Sequence, residues 1–97
     1  MKSDNLAGTD AAHPASGTVK VEGRTVLLEN VEITEAPDGR VILTKDFDEK
    51  TGVSLGKLQG FNGSHQYPVP EGTNPDDYNT VLIWCDQFKV PIGKAGL

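Results

Sequence analysis

The sequence predicts an all-β domain: a small antiparallel β-sandwich of about seven or eight short strands. Three observations carry this expectation. Short runs rich in Val, Ile, Leu and Thr recur along the 97-residue chain, and most alternate apolar with polar residues, the period of a half-buried strand. Eleven Gly and six Pro break those runs apart, more punctuation than a helical bundle needs. Turn signals separate seven or eight such short runs, which suggests a sandwich rather than an α/β layer structure.

The elements follow in order. Residues 1–12 hold one large aliphatic side chain after Met1, Leu6, and read as a flexible N-terminal arm. Residues 13–97 form the single domain, with order beginning near Gly17. Thr18–Val21 and Thr25–Leu28 flank Glu22-Gly23-Arg24 and read as a hairpin. Val31–Thr34 is read as a further strand. Ala36-Pro37-Asp38-Gly39 places Pro and Gly where a type I turn favours them, ahead of the strand Arg40–Thr44. Asp46 to Gly52 reads as an exposed polar loop, and Val53 to Leu58 as a brief pairing segment. Asn62-Gly63 suits a type I′ hairpin turn, because both residues tolerate positive φ. Gln66–Pro70 is extended, and its two prolines confine it to an edge or a strand end. Asn74-Pro75-Asp76-Asp77 has the cap, the Pro and the first-turn acids of one short helical turn. Thr80–Asp86 is the strongest strand; its apolar residues occupy both parities, so both faces should be covered. Lys89–Ile92 follows beside Phe88.

Composition excludes several classes of function. The net charge of −5 arises from 14 acidic and 9 basic residues. The bases are scattered, and no basic stripe capable of displacing counterions from nucleic acid is present. The longest apolar run, Val81–Cys85, is far short of the roughly 20 residues a helical membrane span requires. The first residues are polar and lack the features of a secretory signal. A single cysteine cannot form an internal disulfide, so Cys85 gives no direct reading of compartment.

Site motifs are few. His13 and His65 are the only imidazoles, too few with one Cys for a closed zinc site, so no metal is expected. No phosphate-binding glycine loop occurs. A Cys85–His65 nucleophilic pair has nothing in its spacing to favour it, and a hydrolase lacks a base. An EF-hand beginning at Asp46 fails, because Thr51 and Lys57 stand where Gly and Glu are required. Asn62-Gly63-Ser64 matches the glycosylation sequon, although the turn reading accounts for the same residues. Cys85 is the principal candidate. On an ideal strand it shares a face with Val81 and Ile83, while Leu82 and Trp84 point the other way. Two readings stand: an inert, core-packed thiol, or a thiol near the polar strand end, where Asp86 and Gln87 follow, that exchanges disulfides or ligates a metal or haem.

The stretch Tyr78 to Leu97 resembles the end of a DM-thirteen domain. It contains a hydrophobic strand ending Ile83-Trp84-Cys85, then Phe88-x-Val90-Pro91, Gly93-x-Ala95-x-Leu97, with Ile92 in place of the usual aromatic residue. Earlier matches are His13 with Gly17, Leu28-Glu29-Asn30, Ala36-Pro37-Asp38, and Leu55-Gly56-x-Leu58 followed by Gln66-Tyr67-x-Val69-Pro70. The resemblance spans residues 13–97. It implies an all-β fold, an extracytoplasmic setting (secreted, periplasmic or cell-surface) and the company of DOMON and cytochrome-b-type modules. It also implies an electron-transfer role centred on the family's single cysteine, here Cys85 beside Trp84, acting as a bare thiol or as a haem ligand. No cofactor is expected to stay with the isolated domain; if a prosthetic group bound, Cys85 and Trp84 would be its contacts. The expected partner is a protein or redox partner. The alternative is a non-catalytic binding module with Cys85 in its core.

Overall fold

The computed structural model describes residues 2–9, 14–35 and 38–97. Among these described residues nine strands are formed: β1 (Lys2–Asn5), β2 (Ala7–Gly8), β3 (Ala15–Glu22), β4 (Thr25–Ile33), β5 (Gly39–Lys45), β6 (Asp48–Lys57), β7 (Asn62–Pro68), β8 (Thr80–Cys85) and β9 (Val90–Gly96). They build two sheets, a four-stranded one in the order β1-β3-β4-β7 and a five-stranded one in the order β2-β9-β8-β5-β6. Every pairing is antiparallel. The all-β sandwich expected from the sequence is therefore present. Among the described residues the one helical element is a 3-10 turn at Pro75–Asp77, where the Asn74 side chain accepts from the Asp76 amide as a cap.

One core lies between the sheets. Val19, Val21, Val26, Leu28, Val31, Ile33 and Tyr67 face Val41, Leu43, Val81, Ile83, Cys85, Ile92 and Ala95 across it. β8 is the middle strand of its sheet, and this explains its two-sided apolar pattern. Val81, Ile83 and Cys85 point inward, whereas Leu82 lies opposite Ile42 on the outer face and is also buried. At the far end of β8 the buried hydroxyls of Thr44 and Thr80 satisfy one another at 2.6 Å.

Several elements depart from the sequence reading, each for a local reason. Val31–Thr34 is not a separate strand. It continues β4 across a bulge at Asn30, whose φ of 51° shifts the register between Leu28 and Val31. That shift turns both Leu28 and Val31 inward although they are three residues apart, so the apolar pattern appears to restart. The polar stretch from Asp46 is not a loop to Gly52. Asp46 and Phe47, both at positive φ, make a two-residue turn, and β6 begins at Asp48. Its charges are exposed because β6 is an edge strand, where polar side chains discourage pairing with other chains. Asn62-Gly63 lies within β7 opposite Val31 and Glu32, with Gly63 at φ 94° facing the β4 bulge rather than forming a turn. The expected turn at Ala36-Pro37 falls outside the described residues, as does His13.

Within the stretch read as an arm, β1 pairs with β3 and β2 with β9, and Leu6 is 3% exposed. Alternation could not reveal this, because a single aliphatic residue has no period. Leu6 is the one large aliphatic side chain that the described part of this segment buries. Burying Leu6 contributes about 2 kcal/mol, whereas ordering the backbone costs roughly 1–2 kcal/mol for each residue fixed. The Leu6 amide, bonded to the Gly17 carbonyl at 2.9 Å, should thus exchange with solvent well before the amides of β8 do. Equal protection of the two, measured by hydrogen exchange, would show the segment to be an integral part of the core.

Candidate functional site

β8 is placed by pairing on both sides, with β5 and with β9, and Cys85 is its last residue. The strand period sets the thiol on the inner face, where the side chain is 0% exposed and belongs to the continuous core cluster. Its register partners are Gly39 and Val90. Gly39 faces the segment that closes this end of the sandwich: a Cβ there would lie 3.4 Å from Leu58 and 3.8 Å from Phe61. Both side chains are half-buried and pack against the core. Just past the cysteine, the Asp86 amide donates to the Asp38 carbonyl at 3.0 Å and ties the strand end to β5.

Outside this closure lies an open depression of about 620 Å³, lined by Asp38, Gly39, Arg40, Lys57, Leu58, Phe61 and Gln87. Cys85 does not line it. The thiol therefore sits at the strand end, as its polar neighbours suggest, yet behind a wall made by residues remote in sequence.

Trp84 points to the outer face, opposite Arg40 on one side and Pro91 on the other. The indole Nε1 and the Arg40 Nε are both buried without a hydrogen-bond partner among the described residues. Arg40 sits between two carboxylates, 3.5 Å from Asp38 and 3.7 Å from Asp86. Lys89 bonds Asp86 at 2.9 Å. The Lys89 ammonium, with a further contribution from Arg40, holds the Asp86 carboxyl below its ordinary range. Arg40 and Lys89, the cations that flank this strand end, are thus engaged with carboxylates. His65 lies on β7 in the other sheet, its Nε2 against the Asn62 carbonyl at 2.9 Å. Among the described residues no three His, Cys, Asp or Glu side chains are grouped to hold a metal ion.

Sequence reasoning identified Cys85, its face and Trp84, but not Gly39, Arg40, Leu58 or Phe61. No local signal could have supplied them, since the pairing of β5 with β8 joins segments about forty residues apart.

A family model described as "Electron transfer DM13" matches residues 8–97. The chain belongs to the DM-thirteen family. None of the curated proteins and none of the solved structures matches it significantly. Membership brings a family description of electron transfer, while the residues that would carry it must be judged from this structure. A haem held through Cys85 would need open apolar space beside the thiol. Cys85 offers none: its side chain has no exposed surface and is packed within the core. The residues present do not fit a haem.

Substitution separates packing from chemistry at this position. Cys85→Ala is expected to lower stability by about 1 kcal/mol, the cost of deleting one small buried group. Cys85→Ser keeps the size but buries a hydroxyl among apolar side chains, and should cost about 1–3 kcal/mol. Chemical denaturation of both variants checks the order; a serine variant as stable as the wild type would mean that position 85 reaches solvent.

Proposed function

We propose that this DM-thirteen domain works outside the cytoplasm as an accessory, binding component of electron transfer, with Cys85 as part of the core rather than a redox thiol. One observation carries the reading: the cysteine has no exposed surface and lies in a continuous apolar cluster. Disulfide exchange requires a thiolate to reach a disulfide sulfur in line, and the closed sandwich denies that approach. Loss of one electron from the thiol would also release its proton. The extracytoplasmic setting rests on the family resemblance. Redox chemistry then belongs to a partner's cofactor, and the domain contributes a docking surface.

A second reading keeps Cys85 as a one-electron donor. It is favoured by the position of Gly39, which both pairs with the cysteine and lines the open depression. In that reading the thiol gives one electron to an acceptor such as a partner's ferric haem and its proton to solvent once this end opens.

Ferricyanide, a one-electron acceptor, distinguishes the two. Under the binding reading, native protein should reduce no ferricyanide over minutes, and the same protein in denaturant should reduce one equivalent per chain. Reduction of one equivalent by native protein, abolished in Cys85→Ala, would establish the thiol as the donor.

A further inference from the structure

The outer faces of the two sheets differ in kind, and we propose that the five-stranded one is a docking surface for a partner protein whose facing patch is acidic around an apolar centre. The inference rests on the binding reading above and names its surface. Two cross-strand rows form the face: Lys57, Arg40 and Trp84 stand side by side in one, and Ile42, Leu82 and Lys94 in the next. Every charge in these rows is positive. Asp38 and Asp86 reach the rim, where Arg40 and Lys89 engage them. Outer positions of the four-stranded sheet carry the opposite sign: Glu22, Glu29 and Glu32 stand with one base, Lys20, which pairs with Glu29 at 2.7 Å. A cationic face is thus set on a chain of net charge −5.

Apolar exposure is divided the same way. Phe47, Phe88 and Val90, the large hydrophobic side chains exposed among the described residues, all belong to the five-stranded sheet or its turns. The Lys94 ammonium lies 5.5 Å from the centre of the Phe47 ring, and Trp84 is half-buried opposite Arg40. Cations set among aromatic side chains favour carboxylates arranged round apolar ones. The Trp84 Nε1 and Arg40 Nε, without acceptors among the described residues, add to the excess of donors over acceptors in the first row. A nucleic acid is the poorer fit, because so few bases on an acidic chain would displace few counterions.

Trp84 is the single tryptophan of the chain, so its fluorescence reports on this face. The native full chain is titrated with a short peptide of alternating glutamate and leucine, and with the lysine counterpart of that peptide. A saturable change in Trp84 emission is expected with the acidic peptide alone, weakened at high salt. Lys94→Glu and Lys57→Glu, both at exposed positions, should each weaken binding at least about ten-fold. Lys20→Glu changes the net charge equally on the other sheet and should leave the affinity within about three-fold. The proposal fails if the change does not saturate, if both peptides bind alike, or if Lys20→Glu weakens binding as much as Lys94→Glu. Binding of phosphatidylglycerol vesicles without binding of the peptide would assign the face to a lipid surface and equally overturn it. Such a failure beside native protein still inert to ferricyanide removes the surface alone; ferricyanide reduction by native protein removes the binding reading instead.

Discussion

Gly17→Ala should destabilise the domain by roughly 2–5 kcal/mol, a loss on the scale of a small domain's whole stability. Gly17 lies in β3 at φ 117°, where the register with β4 shifts between Ser16 and Thr18. A Cβ at this position would lie 2.6 Å from the Cα of Val31 and 2.9 Å from the Asn30 carbonyl oxygen. Both obstacles are backbone, so no rotamer change relieves them; β3 and β4 must separate. Overpacking of about 1–3 kcal/mol adds to a positive-φ cost of about 1–2 kcal/mol for any residue with a Cβ. Gly23→Ala is the internal control. Gly23 also has positive φ, 57°, but a Cβ there meets nothing within 4 Å, so only the conformational cost of about 1 kcal/mol should appear. Urea denaturation midpoints of the two variants measure the difference. Similar losses at both sites would mean that β3 and β4 do not approach one another as described.

Tyr67→Ala should cost about 3–5 kcal/mol. Tyr67 is the largest fully buried side chain, 1% exposed, and its hydroxyl accepts from the Gln59 amide at 2.9 Å. Truncation opens a cavity in the core beneath β7, an edge strand of the four-stranded sheet, and strands that amide. Tyr67→Phe keeps the ring and should cost only about 1 kcal/mol, the net worth of the hydrogen bond. Burial raises the phenol above its ordinary value of 10.0, with a smaller opposing effect from the Gln59 amide. Because the folded state favours the protonated phenol, this contribution is fully present below the unfolded-state value near 10 and is lost as pH rises through the higher folded value. Wild-type stability should therefore fall more steeply in alkali than that of Tyr67→Phe; parallel alkaline profiles would place Tyr67 in contact with water.

Particular residues show how far the sequence can be read. The doubled parity of Val81–Cys85 reveals a strand covered on both faces, because a central strand needs no polar side. The inward direction of Cys85 follows from the same alternation. Its complete burial does not, since Asp86 and Gln87 suggest an open strand end while the cover, Leu58 and Phe61, comes from a segment with no periodic signal of its own. β6 was hidden for the opposite reason: an edge strand tolerates Asp48, Glu49 and Lys50 that read as loop. The β4 bulge at Asn30 broke one strand into two apparent ones, and Leu6 buried itself without any pattern to announce it. Local chemistry was legible where both neighbours of a strand impose it, and illegible where contacts are non-local or one-sided.

The reactivity of Cys85 tests the central claim, that this cysteine is sealed in the core of the domain. Native protein at neutral pH, treated with a thiol reagent such as iodoacetamide and followed by mass, should label at least about 100-fold more slowly than the same chain in denaturant, because reaction must wait for an opening of the Leu58–Phe61 end. Labelling of the native protein as fast as the unfolded chain would contradict the account and return Cys85 to the role of an accessible redox thiol.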